Sequence, residues 1–182
     1  QFNTETSERL IQYLIKHKHW SPLEMVSLCL EINTTRDIAR QILRHRSFSF
    51  QEFSQRYAVA DLGFEFKQAR LQDEKNRQNS IETEDNALRL NWETQQDYVI
   101  AAAEKAYRWA LEHGIAKEQA RAVLPEGNTV SRLYMHGTLR SWVHYIQLRS
   151  ANGTQKEHRE IALACADEIE KVFPMIKEFV SQ

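Results

Sequence analysis

The period of apolar and polar positions changes several times along this chain, and each change marks an element. Over residues 4–17, Leu10, Ile11, Leu14 and Ile15 recur at helical spacing. Asn3 or Thr4 can cap this helix, Glu5 and Glu8 suit its positive end, and Lys16, His17 and Lys18 suit its negative end. Pro22 stops it and biases Ser21 toward an extended backbone. Residues 25–32 alternate around Ser27, Cys29 and Glu31, which predicts a strand. A helix follows, capped by Thr34 or Thr35, with Asp37 in its first turn and Ile38, Ile42 and Leu43 facing inward. From Phe48 the period falls to two, with Phe48 and Phe50 alternating with Ser49 and Gln51, as in a half-buried strand. The alternation breaks at Phe53, which implies a bulge or the start of an irregular segment.

Residues 58–92 have the weakest periodicity and predict a long loop with short pieces of structure, the polar stretch from Arg70 to Ser80 being coil. Residues 93–113 predict a helix with a close-packing face of Val99, Ala102, Ala103, Ala106 and Ala110, flanked by Tyr98 and Trp109 and ended by Gly114. A second helix over 116–123 ends at Leu124-Pro125, and a strand follows over 128–135. Thr138 opens a helix that buries Trp142, Tyr145 and Ile146 and carries Arg140, His144 and Arg149 on its polar side. The last helix, 155–172, buries Ile161, Ala162, Cys165, Ile169 and Val172, and residues 175–180 add a helical tail after Pro174. Strands and helices mixed without βαβ regularity or a glycine-rich phosphate turn imply an α+β fold, an antiparallel sheet flanked by several helices.

Length and charge narrow the picture. At 182 residues the chain is expected to be a single domain with a real core. A net charge of −1 gives no global attraction to nucleic acid, so any anion site must be built locally. No apolar run approaches membrane-spanning length. Cys29 and Cys165 both sit in apolar patterns and are expected to be buried small hydrophobes of a reducing, intracellular compartment. No CxxC or metal-ligand spacing occurs, so no metal is expected.

The chemistry concentrates in residues 44–57, where Arg44, His45, Arg46, Glu52, Ser54 and Arg56 are interleaved with Phe48, Phe50 and Phe53. Guanidinium groups suit bidentate recognition of phosphate or carboxylate, and the aromatics anchor the backbone that carries them. Read alone, such a run also describes a solvated helix end entering a core strand. The spacing decides: Arg44-His45-Arg46, seven residues, then Ser54 resembles the signature of the flavin-dependent thymidylate synthases, the thymidylate synthase complementing proteins. Two further stretches are similar to that family, Arg121 within Ala-Arg-Ala-Val-Leu-Pro, and Leu148-Arg149 followed by Gln155 and Glu157. So is His19-Trp20-Ser21-Pro22-Leu23-Glu24. Departures are Met25 and Gly153, where members often have His, and Thr138, where many have Asn. The resemblance spans residues 10–173 and implies a strand and flanking segment preceding residue 1.

What the resemblance implies is methylation of dUMP at C5, with methylenetetrahydrofolate as carbon donor, FAD as hydride carrier and NADPH reloading it. It implies a cytoplasmic homotetramer with shared sites. Arg149 would be catalytic, holding negative charge on the uracil ring. Gln41, Arg44, Glu52, Ser54, Arg56 and Arg121 would bind the nucleotide with Arg149, Glu52 orienting the sugar and Ser54 binding rather than attacking. Ser21, Glu24, Arg44, His45, Arg46, Thr138, Arg140 and His144 would hold FAD, and His19 would lie on the folate side. Three rivals remain: a nucleic-acid-binding module, disfavoured by charge and the lack of a basic stripe; a non-catalytic homologue; and a variant acting on another pyrimidine nucleotide.

Overall fold

The computed structural model describes residues 4–180, with side chains from Thr6 onward; the capping groups of Asn3 and Thr4 and the charge of Glu5 lie outside the described residues. The elements run α1 (Thr4–Lys16), β1 (Ser27–Thr35), α2 (Arg36–Ile42), β2 (Ser49–Glu52), β3 (Arg70–Gln72), β4 (Ser80–Glu82), α3 (Asn86–Glu112), α4 (Lys117–Ala120), β5 (Val130–Thr138), α5 (Leu139–Arg149) and α6 (Lys156–Glu170). One sheet has the strand order β1-β5-β2, and β3 and β4 form a separate antiparallel pair. The mixture of helices and antiparallel sheet is the expected α+β class. Backbone packing divides the chain into two compact units. Unit 1 holds residues up to 30, 45–49 and from 135 onward, and unit 2 holds 31–44 and 50–134.

Unit 1 is organised by α5. Trp142, Tyr145 and Ile146 are fully buried, with Leu139 and Val143 nearly so, on a stripe set by helical spacing. Thr138 starts the helix as expected: its hydroxyl accepts from Ser141 N at 3.2 Å, a cap worth about 1 kcal/mol. α6 packs on α5 and buries Ala162, Cys165, Ala166 and Ile169. Val172, expected inside, is exposed, because α6 ends at Glu170 and Phe173 turns inward in its place. The 3-10 segment Pro174–Phe179 closes this side with Met175 and Ile176.

Rings complete the core. Phe48 stands edge-on to Trp142 at 4.9 Å, and Tyr145 lies 5.9 Å from both. His158 on α6 is fully buried, and its Nε2 lies 3.1 Å from the Tyr145 hydroxyl. Burial, and then the charge of Arg149, push the His158 pKa down to about 4; burial raises that of Tyr145 well above its ordinary value. Both side chains are therefore neutral near pH 7.

Several boundaries differ from expectation. α1 ends in a Schellman motif built on a non-glycine residue: Lys18 has φ +58°, His19 N donates to Leu14 O and Lys18 N to Ile15 O. The α1 stripe is only half-buried, and Leu10 is exposed. Ser21 opens a 3-10 turn, Ser21–Glu24, rather than extending, because Pro22 occupies a first-turn position where no backbone N–H is needed. β1 starts at Ser27, not Met25. Its even-numbered residues Leu28, Leu30 and Ile32 turn inward, which leaves Cys29 exposed against expectation.

In unit 2 the segment expected as a long loop with short pieces of structure carries the strands β3 and β4 and, from Asn86, the start of α3. α3 begins at Asn86, seven residues early, because the Asp85 carboxylate caps it by accepting from Leu88 N at 3.0 Å. Its buried face is Gln96, Ile100, Ala103, Tyr107 and Ala110, so Val99, Ala102 and Ala106 are exposed instead. Gln96 explains why residues 58–69 are held: its Oε1 accepts from Lys67 N (2.7 Å) and Asn128 Nδ2 (2.9 Å), and its Nε2 donates to Lys67 O (3.0 Å). Tyr107 likewise accepts from Ala60 N through its hydroxyl at 3.1 Å. The stretch expected as coil is a hairpin, with Leu71 opposite Ile81. Its turn is tied by Asp73, which accepts from Lys75 N, Asn76 N and Asn79 Nδ2, the Asn79 bond foremost in holding its carboxyl below the usual range. Gly114, at φ +76°, closes α3 with Gly114 N to Leu111 O and Ile115 N to Ala110 O, as expected.

Two predictions follow from the ring core. A Cβ at Gly137 would lie 2.5 Å from Phe48 Cδ1. Gly137→Ala should therefore cost about 1–3 kcal/mol, and less in a Phe48→Leu background; additive costs in urea melts would refute the clash. For His158, the unfolded chain takes up a proton below about pH 6.5, whereas the folded chain resists until about pH 4. Stability should fall as pH drops through that window, and His158→Gln should make the fall shallower; an unchanged slope would mean His158 is not buried neutral.

Candidate functional site

The Arg44-His45-Arg46 signature adopts neither helix nor strand, and His45 and Arg46 belong to unit 1. Residues 43–48 form turns, with Phe48 N donating to His45 O at 3.3 Å. The buried Phe48 ring anchors this turn. As a result His45 meets Arg149, 104 residues away: Arg149 Nε donates to His45 Nε2 at 2.9 Å. An imidazole nitrogen that accepts is unprotonated, so His45 is here the neutral Nδ1–H tautomer. Its ring is edge-on to Tyr145 at 4.9 Å.

Beside the N-terminal half of α5 lies a cavity of about 470 Å³, lined by Trp20, Glu24, Ser47, Arg140, His144 and Gln147 among others. The volume falls in the range of about 300–1,000 Å³ usual for small-molecule sites. Glu24 and Arg140 form an ion pair at 2.5 Å, both about half exposed. Exposed pairs of this kind are worth about 0–1 kcal/mol, so either partner can be taken over by a ligand. Guanidinium, imidazole, hydroxyl and amide groups around an indole fit an aromatic anionic ligand such as a flavin nucleotide. Of the residues expected to hold flavin, the cavity brings together Glu24, Arg140 and His144. Ser21, Arg44, His45, Arg46 and Thr138 are not among its lining residues, and the Thr138 hydroxyl serves the α5 cap. His19 is exposed at the end of α1, 6.3 Å ring to ring from Tyr13.

The expected nucleotide residues of unit 2 sit at element ends. Gln41 is in the last turn of α2 and its carbonyl accepts from Arg44 N at 3.4 Å. Arg44 is exposed in the turn that follows. β2 ends at Glu52, so the break at Phe53 is an irregular segment; Phe53 N donates to Arg132 O at 2.8 Å. The Ser54 carbonyl closes the next turn by accepting from Tyr57 N and Ala58 N at 3.2 Å each. Arg56 leans over the Tyr57 ring at 5.6 Å and pairs at 3.7 Å with Glu118, both about half exposed and so cheaply separated. Arg121 donates through Nε to Glu118 O at 3.2 Å, where α4 passes into a 3-10 turn.

Reading the sequence missed the groups that hold Glu52. The fully buried Ser131 donates to Glu52 Oε1 at 2.9 Å, and Arg36 Nη1 approaches the same oxygen at 3.8 Å. Arg36 and Arg40 also converge on Glu126; burial pushes that carboxyl up, but the Arg40 hydrogen bond and the Arg36 charge hold it below the usual range. Near the start of α2, Lys67 Nζ donates to Thr35 Oγ1 at 2.6 Å and lies 3.3 Å from Asp37, so Thr35 is tied through its side chain rather than capping the backbone. Ser131 shares the buried face of β5 with Leu133 and Met135, a register the sequence did not announce, since residues 128–135 show no strict alternation. Nothing in local spacing marked Arg36 or His158.

A family model described as thymidylate synthase complementing protein matches residues 1–175. A probable flavin-dependent thymidylate synthase of Paramecium bursaria Chlorella virus 1 is 50% identical over 176 residues, covering 97% of this chain and 81% of the relative. The flavin-dependent thymidylate synthase of Synechocystis is 52% identical over 168 residues, covering 92% and 77%. Among solved structures, a UMP/dUMP methylase, PolB, from Streptomyces cacaoi bound with 5-Br dUMP superposes with a TM-score of 0.83 at 26% identity, covering 97% of this chain and 81% of that one. This chain belongs to the thymidylate synthase complementing protein family.

Proposed function

We propose that this protein is a flavin-dependent thymidylate synthase, converting dUMP to dTMP with methylenetetrahydrofolate as carbon donor, FAD as prosthetic group and NADPH as reductant. The observation that carries the reading is the His45–Arg149 contact, which joins the first and third signatures at 2.9 Å on a buried aromatic floor. FAD, when bound, supplies the hydride that turns the transferred methylene into a methyl group. Everything else falls to the chain's own groups.

C5 of uracil becomes nucleophilic when negative charge on the ring carbonyls is stabilised, and Arg149 provides a fixed positive charge for this. With Nε engaged by His45, the Nη edge of its guanidinium remains to meet the pyrimidine. Arg56, Arg121 and Ser54 supply forks and a hydroxyl for phosphate and ribose. Gln41, Arg44 and Glu52 orient the sugar, with Ser131 fixing the Glu52 carboxylate. Glu24, Arg140 and His144, together with Ser21, Arg44, His45, Arg46 and Thr138, hold the flavin, and His19 serves the folate side. A thiolate nucleophile at Cys165 is disfavoured, since burial pushes that thiol up to about 12. No metal is invoked, and no metal-ligating cluster occurs among the described residues. The reading places the protein in the cytoplasm as a homotetramer with shared sites, which the exposed Tyr98, Val99 and Trp109 of α3 support as an assembly surface. No described helix is long and apolar enough to cross a membrane.

The UMP/dUMP methylase from Streptomyces cacaoi, solved with 5-Br dUMP and with 5-Br UMP, favours one second reading, action on the ribonucleotide. Anaerobic titration of the FAD-loaded protein separates the two. The flavin absorbance bands should shift on adding dUMP and much less with UMP. Arg149→Lys, which keeps charge but loses the planar fork, should still bind FAD and lose about 10–100-fold in turnover. Absence of any flavin binding would remove the enzyme reading, and an equal response to UMP would favour the second one.

A further inference from the structure

His158 and Tyr145 have no part in the chemistry assigned above, yet they lie directly beneath it. His158 is fully buried on α6, its Nε2 3.1 Å from the Tyr145 hydroxyl. Tyr145, fully buried on α5, offers its ring to His45 at 4.9 Å and an interplanar angle of 83°. His45 in turn accepts the Arg149 Nε–H at 2.9 Å. We propose that the buried Tyr145–His158 pair positions Arg149 through His45, fixing the tautomer and ring plane of the imidazole that holds the guanidinium.

A phenol and an imidazole buried in an apolar core each cost free energy unless they are paired, and a phenylalanine facing an aliphatic side chain would fill the same space without that cost. The hydrogen bond fixes the Tyr145 hydroxyl, and with it the ring against which His45 stands. An imidazole held edge-on keeps its Nε2 lone pair on the Arg149 Nε–H. If His45 rotates, its Nε2 lone pair leaves the Arg149 Nε–H; if it changes tautomer, Nε2 carries the proton; in either case the acceptor is lost and the guanidinium is released to other rotamers. Tyr145 and His158 are positioning residues, since neither is assigned a contact with substrate. Misplacing a catalytic group by about 1 Å can cost up to about 100-fold in rate.

This inference rests on the role proposed for Arg149, so its test has one arm that needs no turnover. Imidazole ¹⁵N spectra of the wild-type protein without substrate should show His45 as the Nδ1–H tautomer. Tyr145→Phe and His158→Leu should each shift it toward a mixture, and His158→Gln, which can still bond the Tyr145 hydroxyl, should restore it. In turnover, Tyr145→Phe and His158→Leu should each lower kcat about 5–20-fold with KM for dUMP changed less than about 3-fold. The double variant should be no worse than either single one, because both break one device. An unchanged His45 tautomer, kcat effects that multiply, or a lowered melting temperature with kcat intact would each overturn the proposal. If the wild type shows no turnover, the functional reading fails alone, and the tautomer arm still decides whether the pair positions His45.

Discussion

Unit 1 depends on the burial of one face of α5. Trp142, Tyr145 and Ile146 are completely excluded from solvent, and truncating an aromatic of this kind costs about 3–5 kcal/mol. Exposed ion pairs in the same unit, such as Glu24–Arg140, contribute at most about 1 kcal/mol. The apolar face therefore fixes the helix's rotation, and the rotation decides where the polar residues point. With Trp142 and Tyr145 turned inward, Arg140 and His144 must line the cavity, and Arg149, four residues beyond Tyr145, comes up beside His45. The site is weakly held by its own charges and strongly held by the core beneath it.

Unit 2 solves a different problem with different forces. Its long connection between β2 and α3 leaves its apolar side chains partly or fully exposed, and it is ordered by side-chain hydrogen bonds to the backbone. Gln96 grips both backbone groups of Lys67, and Tyr107 grips Ala60. Ser131 does the same for a functional group, tying Glu52 to the central strand. Buried and satisfied, such bonds contribute about 0.5–1.5 kcal/mol each, and they specify one conformation where packing alone does not.

Where one pattern dominated, the sequence was readable. α5 with its Thr138 cap, α6 and the Gly114 terminus of α3 appear where spacing and capping chemistry put them. The signature spacing at Arg44 to Ser54 pointed to the family before any geometry was known. What escaped was tertiary in origin. The inward face of α3 uses Gln96 and Tyr107, a polar and an amphipathic residue, so the small apolar residues Val99, Ala102 and Ala106 drew attention to the wrong face. The β3–β4 hairpin carries a single apolar cross-strand pair, Leu71 opposite Ile81, and its turn is held by Asp73, which no hydrophobic period reports. Val172 looked like core until Phe173 displaced it. His158 carried no local signal, since its value lies in a partner thirteen residues away on another helix.

The central claim is that the reducing equivalents for methyl formation come through a flavin and not from the folate. The direct measurement is the identity of the folate product when the purified FAD-loaded protein converts dUMP in the presence of methylenetetrahydrofolate and NADPH. If the hydride comes from the flavin, the folate gives up only its methylene, and tetrahydrofolate should accumulate in step with dTMP and with NADPH consumed. Dihydrofolate appearing one for one with dTMP, without FAD dependence, would mean that the folate itself is the reductant and would contradict the account.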